Sequence, residues 1–221
     1  MGAITDIDGN VYDTVVIGSQ EWTVQNLKTT KLNDGTAIPE VTDNSAWAAL
    51  TTPGRCAYNN DPANRTIYGE LYNWYAVGIG NLAPAGWRVP TDADWTTLTT
   101  YLGGLTVAGG KLKESGTTHW HSPNTSGTNE VGFSALPGGC RLNNDGTFFA
   151  IGLLRLLVDR VGLRRFLLLV PHHALRYRKR VPLDQPSAVR VQCSPCPRCD
   201  RSWRGHGVHR RFQRDRAWSR I

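Results

Sequence analysis

Gly86-Trp87-Arg88-Val89-Pro90-Thr91-Asp92-Ala93-Asp94-Trp95 is the stretch that decides the fold. Trp87 and Val89 alternate with Gly86 and Arg88, the period-two pattern of a half-buried strand. Pro90 ends that strand, because it has no N–H to give a ladder. Thr91 is placed to cap a helix, its hydroxyl accepting from N–H groups of the first turn. Asp92 and Asp94 sit where the helix dipole favours negative charge. Trp95, Leu98 and Leu102 recur at i, i+3 and i+7 and give a helix over 91–103 one apolar face. Gly103-Gly104 stops it. Trp87 and Trp95 read as core, and nothing in this corner requires chemistry.

Working towards the N-terminus, Asp6-Ile7-Asp8-Gly9-Asn10 is a turn signal ahead of a strand from Val11 to Ile17. It also looks like the start of a calcium loop, but Val11 stands where an EF-hand needs glycine, so the turn reading is kept. Gly18-Ser19-Gln20 reads as a hairpin turn and Glu21 to Gln25 as the return strand, with Trp22 in the core. Lys31 to Asn44 is polar and turn-rich, a surface loop; Ser45 to Leu50 suits one helical turn. Asn59-Asn60-Asp61 offers oxygen atoms of the kind calcium takes, yet adjacent Asn/Asp groups more often bond their own backbone. A second main helix is predicted over 66–77. Leu71, Tyr75 and Tyr68 fall on one of its faces, with Tyr72 and Trp74 beside them. Rings at that spacing are core packing more often than a sugar-stacking platform. Gly78-Ile79-Gly80 ends the helix.

Towards the C-terminus, Lys111 to Glu114 reads as a helical fragment. His119 and His121, flanking Trp120, have the i, i+2 spacing that lets two imidazoles share a metal on a strand. Gly116 and Pro123 argue for a loop instead, and no third ligand is at hand. Val131 to Leu136 and Gly139 to Leu142 read as strands. Asn143-Asn144-Asp145-Gly146 is a strong turn leading into Phe148-Phe149.

After Gly152 the composition changes. Threonine and asparagine do not recur, and sixteen of the residues in 153–221 are arginine. Residues 1–152 hold eight Lys/Arg against fourteen Asp/Glu, a balance of −6, whereas residues 153–221 hold seventeen against four, a balance of +13. The net +7 of the chain therefore averages two unlike parts. Such asymmetry has two readings: a nucleic-acid-binding tail, or two parts from different reading frames. Arg-rich sequence is what arbitrary reading of GC-rich codons yields. Cys193, Cys196 and Cys199 carry three thiols at zinc or iron–sulfur spacing, but lack a fourth ligand. Arg176 to Arg180 is a run that suits phosphates, and Leu153 to Val170 has the pattern of a cationic helix. Arg155, Asp159, Arg160, Arg164 and Arg165 interrupt the apolar run from Ile151 to Val170, so no membrane span is expected. No signal peptide is expected either, since domain-like sequence follows Met1 at once.

Over roughly residues 4–152 the chain resembles the Fibrobacter succinogenes major paralogous domain family. The resemblance rests on the Gly86–Trp95 corner together with Asp6-Ile7-Asp8-Gly9-Asn10-Val11-Tyr12 and Asn26-Leu27-Lys28-Thr29-Thr30. Tyr68-Gly69-Glu70-Leu71-Tyr72-Asn73-Trp74-Tyr75-Ala76-Val77 and Gly132-Phe133-Ser134-Ala135-Leu136-Pro137-Gly138-Gly139 carry it further, in the family's order. The corner is also distantly similar to that of formylglycine-generating-enzyme-type folds. The resemblance implies an α+β, C-type-lectin-like fold: small twisted antiparallel sheets and two main helices, about 66–77 and 91–103. It also implies a secreted or surface-exposed bacterial protein. Residues 1–152 would be that domain, short of its closing strands, and the basic tail 153–221 would be aberrant.

The family continues with a Tyr-Gly-Tyr-Trp-Trp-Thr run, then Tyr-Tyr-Trp-Tyr, and finally Gly-Phe-Ser-Val-Arg followed by cysteine. Leu154-Arg155-Leu156-Leu157-Val158-Asp159-Arg160 admits codons that give the first of these when read one base later. Leu167-Leu168-Leu169-Val170 before Pro171 admits the second, and Arg190-Val191-Gln192-Cys193-Ser194 before Pro195 the third. Three matches in one shifted frame, in family order, imply a frameshift near codons 150–153. The family often has cysteine where Ala83 stands and another after the final run. Both are missing here, which leaves Cys56 and Cys140 either as thiols or as an alternative bridge.

The function these readings imply is a non-enzymatic binding module for a carbohydrate or a protein, impaired because its C-terminal face is replaced. No catalytic, cofactor-binding or metal residue is assigned; calcium is open but unsupported. The partner is an unknown surface ligand, with no specific nucleic acid and no transmembrane segment. Two alternatives stand. One is a formylglycine-generating-enzyme-like oxidase, whose copper-binding cysteine pair Cys140 alone does not supply. The other is a basic tail that binds nucleic acid.

Overall fold

A computed structural model gives the architecture and describes residues 2–153 and the pair 194–195. Strands β1 (Gly2–Thr5), β2 (Val11–Ile17) and β3 (Gln20–Thr23) form an antiparallel sheet in that order. Along β2 the alternation buries Tyr12 and Thr14 and turns Val11 and Asp13 outwards, as a half-buried strand requires. The return strand stops at Thr23 rather than Gln25. Gln25 folds back as a clamp on β2 instead, accepting from Asp13 N at 2.8 Å and donating to Asp13 Oδ2 at 2.7 Å. The polar loop 31–44 is pinned by buried Leu32 and Ile38. Helix α1 (Asn44–Ala49) follows, capped by Asp43, which accepts from Ala46 N at 2.7 Å.

The helix predicted over 66–77 is in fact three elements. Strand β4 (Arg55–Cys56) precedes α2 (Pro62–Tyr68); then come β5 (Leu71–Tyr72) and α3 (Trp74–Gly78). The break is Gly69, at φ 72°, a left-handed conformation that suits glycine. A Cβ there would lie 2.7 Å from Leu27 O. The chain turns because it must pass that carbonyl, to which Glu70 N donates at 3.0 Å. β5 then pairs antiparallel with β4, Cys56 opposite Leu71. Asn73 restarts the helix by accepting from Ala76 N at 3.0 Å.

Strand β6 (Trp87–Arg88) ends at Pro90, and α4 (Asp92–Tyr101) begins with a complete capping box between Thr91 and Asp94. A helix α5 (Leu105–Leu112) follows, earlier and longer than the fragment read at Lys111 to Glu114. Its Gly109-Gly110 pair obscures the pattern, and Gly110 is there because a Cβ would meet Ser126 O at 2.4 Å. The predicted strand from Val131 to Leu136 does not form. Asn129, Gly132 and Ser134 all have positive φ, and the Asn129 side chain bonds Ser134 N at 2.7 Å, so the segment is coiled rather than extended. A single bridge, Lys113 to Ala135, remains. β7 (Gly138–Arg141) and β8 (Phe148–Ile151) make the expected hairpin. β9 (Ser194–Pro195) pairs antiparallel with β6 and also lies against β3.

The result is a mixed α+β domain of small antiparallel sheets and short helices. Three apolar clusters fill it. One joins Trp22 to Trp95, Leu98, Leu112, Trp120 and Phe133. The second joins Tyr12 to Tyr72, Leu82 and Val89. The third is Trp47, Cys56, Tyr58 and Leu71. Tyr68 and Tyr72 are buried, so that part of the aromatic cluster is core, as its spacing suggested. Among the described residues no helix is long and apolar enough to cross a membrane.

Candidate functional site

Short polar residues with local partners build the corner after β6. Asp94 accepts from Thr91 N at 2.6 Å and from the Thr91 hydroxyl at 2.6 Å. Arg88 grips the same carboxylate with both terminal nitrogens, Nη2 reaching Oδ1 at 2.7 Å. Burial alone would raise the Asp94 carboxyl. The Arg88 and Thr91 hydrogen bonds outweigh it and hold the group at about 2. Gln20 ties β3 to this corner by donating to Asp94 O at 3.1 Å. Trp22 and Trp95 pack behind it with ring centroids 4.6 Å apart and planes tilted by 37°. Among the described residues Gln20 Oε1 and both indole N–H groups are buried without a hydrogen-bond partner.

The turn before β2 is a latch, not a cation loop. Asp6 accepts from Asp8 N and Asn10 N, each at 2.9 Å, and from the buried Tyr12 hydroxyl at 2.5 Å. Asp8 Oδ2 accepts from Thr30 N at 2.5 Å and from the Thr30 hydroxyl at 2.8 Å, and Oδ1 lies 3.1 Å from Lys31 Nζ. Burial would raise Asp8, but Thr30, Lys31 and Thr29 hold it at about 2. These carboxylates are filled by the protein's own donors. Asn59 and Asn60 both take left-handed conformations, Asn60 donates to Thr42 O at 3.0 Å, and Asp61 caps α2 through Ala63 N at 2.9 Å. Both Asp/Asn clusters thus serve turns.

Glu70 and Arg141 are buried charges that the sequence reading did not single out. Glu70 has zero exposure and meets Arg55 Nη1 at 2.7 Å and Arg65 Nε at 2.5 Å. Glu40 joins from outside, 2.7 Å from Arg65 Nη2. Burial raises the Glu70 carboxyl, against the pull of the two guanidinium groups. Arg141 also has zero exposure. It donates to Gly146 O at 2.7 Å, Val41 O at 2.6 Å, Thr42 O at 2.8 Å and Asn44 Oδ1 at 2.9 Å. Its guanidinium carbon lies 4.7 Å from the ring centroids of both Trp47 and Phe148, a cation–π sandwich. The hint available in sequence was a charge embedded among apolar neighbours, as at Tyr68-Gly69-Glu70-Leu71 and Cys140-Arg141-Leu142. Nothing local could name the partners.

His119 and His121 lie in a loop and have different neighbours. His119 Nδ1 is 2.9 Å from Glu114 Oε1, and its ring meets Tyr68 edge-on at 5.8 Å. His121 N donates to Gly152 O at 2.8 Å, and a Cβ at Gly152 would lie 2.5 Å from the His121 ring. Between them Trp120 is buried, donating to Ala135 O at 2.9 Å. Lys113 sits over its ring and donates to Thr125 O at 2.7 Å; burial lowers the Lys113 pKa. Among the described residues no three His, Cys, Asp or Glu side chains gather to hold a metal. Cys56 and Cys140 are both buried as thiols rather than bridged. Burial pushes the Cys56 thiol up to about 11 despite a hydrogen bond from Arg141, which disfavours the reactive thiolate. Cys193, Cys196, Cys199, the Arg176 to Arg180 run and the apolar pattern from Leu154 to Val170 lie outside the described residues.

Among the described residues three aromatic side chains are exposed: Tyr75 at 43%, Tyr101 at 64% and Phe149 at 54%. Phe149 is on β8, the last strand before the composition changes. The comparisons add one finding. The sequence model of the Fibrobacter succinogenes major domain matches residues 15–153. No curated protein and no solved structure matches the chain. The matched span starts after the Asp6–Tyr12 latch, although Tyr12 belongs to the second apolar cluster. It ends where the basic tail begins.

Proposed function

From the premise that the chain belongs to the Fibrobacter succinogenes major domain family, we propose that residues 1–152 are a non-enzymatic ligand-binding module of a secreted or surface-displayed bacterial protein. The fold is lectin-like on this reading. The ligand is a carbohydrate or a protein, met by exposed rings. Binding is impaired because the face beyond β8 is not family sequence.

The observation that carries the non-enzymatic half is how the reactive groups are spent. Asp6, Asp8, Glu70, Asp94, Arg55 and Arg141 each hold structure together through short hydrogen bonds. A general acid or base needs reach to a substrate proton, and these groups face backbone or one another. The binding half is supported by the exposure of Tyr75, Tyr101 and Phe149, aromatic side chains of the kind that stack on sugars.

The test is titration with a panel of neutral oligosaccharides and, separately, with bacterial surface extract fractions, read by tryptophan fluorescence and calorimetry. Weak saturable binding lost in Phe149→Ala or Tyr75→Ala supports the proposal. Copper-dependent oxidation of a thiol peptide would replace it with the oxidase reading. Steeply salt-dependent nucleic-acid binding would replace it with the basic-tail reading.

A further inference from the structure

The stretch Asn-Asp-Gly-Thr occurs twice, as residues 33–36 and as residues 144–147. Both copies make the same local turn. Thr36 N donates to Asp34 Oδ1 at 2.9 Å, and Thr147 N donates to Asp145 Oδ1 at 3.0 Å. Both loops are closed by a leucine amide on the threonine carbonyl, Leu32 N to Thr36 O at 2.8 Å and Leu142 N to Thr147 O at 2.8 Å. The second loop is longer by a residue, because Asn143 and Asn144 stand where Asn33 stands alone. The glycine amides then differ. Gly35 N donates to Leu32 O at 2.9 Å. Among the described residues no acceptor holds Gly146 N.

Gly146 is tied down elsewhere. Its carbonyl accepts from Arg141 Nε at 2.7 Å. Its α-carbon is buried against Asn44, where a Cβ would lie 2.3 Å from Asn44 O. Asp145 beside it is exposed to water. The chain has one further Asp-Gly pair, Asp8-Gly9, and there Gly9 N donates to Asp6 O at 3.0 Å. An aspartyl carboxyl followed by glycine is open to attack by the next amide nitrogen, because glycine has no side chain to shield it. A nitrogen whose N–H is held by a carbonyl must first give up that bond. Of the three pairs, Asp145-Gly146 is the one without that restraint among the described residues.

We propose that Asp145-Gly146 is a site of self-modification to isoaspartate in the folded chain, ahead of its twin Asp34-Gly35 and of Asp8-Gly9, and that the change takes from Arg141 its Gly146 acceptor. Gly146 N attacks Cγ of the protonated Asp145 carboxyl. The N–Cγ bond forms, and the carboxyl hydroxyl leaves with the amide proton as water. Water then adds to the main-chain carbonyl carbon of Asp145 and breaks its bond to Gly146 N. The product has the mass of the parent, but its main chain runs through Cβ and Cγ and is longer by a carbon. Gly146 has no room against Asn44 to absorb that carbon, so its carbonyl moves off Arg141.

The test holds the full chain in mildly acidic buffer at body temperature, folded and, in parallel, in denaturant. Isoaspartate is counted at each pair by peptide mapping and by enzymatic methyl transfer to the new α-carboxylate. The denatured sample gives the rate of each sequence by itself, and each folded rate is divided by it. On that scale Asp145 should convert about five to ten times faster than Asp34, the factor set by opening one hydrogen bond. Equal rates, a faster rate at Asp34 or Asp8, or no conversion at Asp145 overturns the site. The hold on Arg141 has its own readout. The urea midpoint of the aged parent should fall as the converted fraction grows. That of Asp145→Glu, whose longer side chain does not readily close this ring, should stay where it was. An unchanged midpoint in a converted chain overturns the link to Arg141.

Discussion

Glu70 and Arg141 pose the same problem and solve it oppositely. Each is a charged side chain at zero exposure. Glu70 is neutralised by charge, between the guanidinium groups of Arg55 and Arg65. Arg141 has no carboxylate among its acceptors in the described residues; it reaches three backbone carbonyls, an amide oxygen and the Cys56 thiol, with aromatic rings on two sides. The difference teaches where each is vulnerable. A charge paired with a charge can be rescued by removing both partners, because the cost of a buried pair lies in leaving one member alone. A charge held by backbone cannot, since no substitution deletes a carbonyl.

The largest effect should come from breaking the Glu70 pairing. Arg55→Met should destabilise the chain by about 3–5 kcal/mol, the usual cost of stranding a buried charge. Adding Glu70→Leu should recover much of that loss, and chemical denaturation of the four proteins in the cycle measures the coupling. A double variant no more stable than Arg55→Met would erase the contrast with Arg141. Next in size, Arg141→Lys should cost about 2–4 kcal/mol, because an ammonium cannot reproduce the fork that reaches Gly146, Val41, Thr42 and Asn44. Rescue of that variant by a change at Asn44 would break the comparison from the other side.

The smallest effect sharpens it through acid. Asp94 resembles Glu70 in meeting an arginine, but it lies in a capping box and its carboxyl is held low, at about 2 against an ordinary 3.8. Its ionised form is therefore favoured in the folded state. That stability is fully present above about pH 4 and is lost as the pH falls through 2, with Asp8 acting in the same window. Asp94→Asn should cost about 2 kcal/mol at neutral pH and flatten the acid limb of a stability profile. Glu70 works in the opposite direction: its raised pKa means that protonation on acidification favours the folded state, so Glu70→Gln should not flatten that limb.

What could be read in the sequence was local. The Thr91 cap, the Pro90 stop, the turn before β2, the turn at Asn143-Asn144-Asp145-Gly146 and the core role of Trp22 and Trp95 all follow from residues within a few positions of one another, whereas the hold of Asp8 on Thr30 does not. The helix predicted over 66–77 failed for a non-local reason: Gly69 must clear Leu27 O, and Leu71–Tyr72 has a strand partner at Arg55–Cys56. The strand from Val131 to Leu136 failed because apolar alternation says nothing about sign of φ, and Ser134 is left-handed. Glu70 and Arg141 were invisible as buried charges because their partners come from other segments of the chain.

That distance also orders events in time. The Glu70 partners Arg55 and Arg65 lie within 15 residues of it along the chain, but Val41 lies 100 residues from Arg141. On a ribosome the first grouping can assemble while the second still lacks its central side chain. Closing the longer loop costs more chain entropy before any contact repays it. The Arg141 sandwich thus acts as a late clasp of the domain, and stopped-flow mixing should find Arg141→Lys unfolding faster while folding at nearly the parent rate. Slowed folding instead would move the clasp into the nucleus.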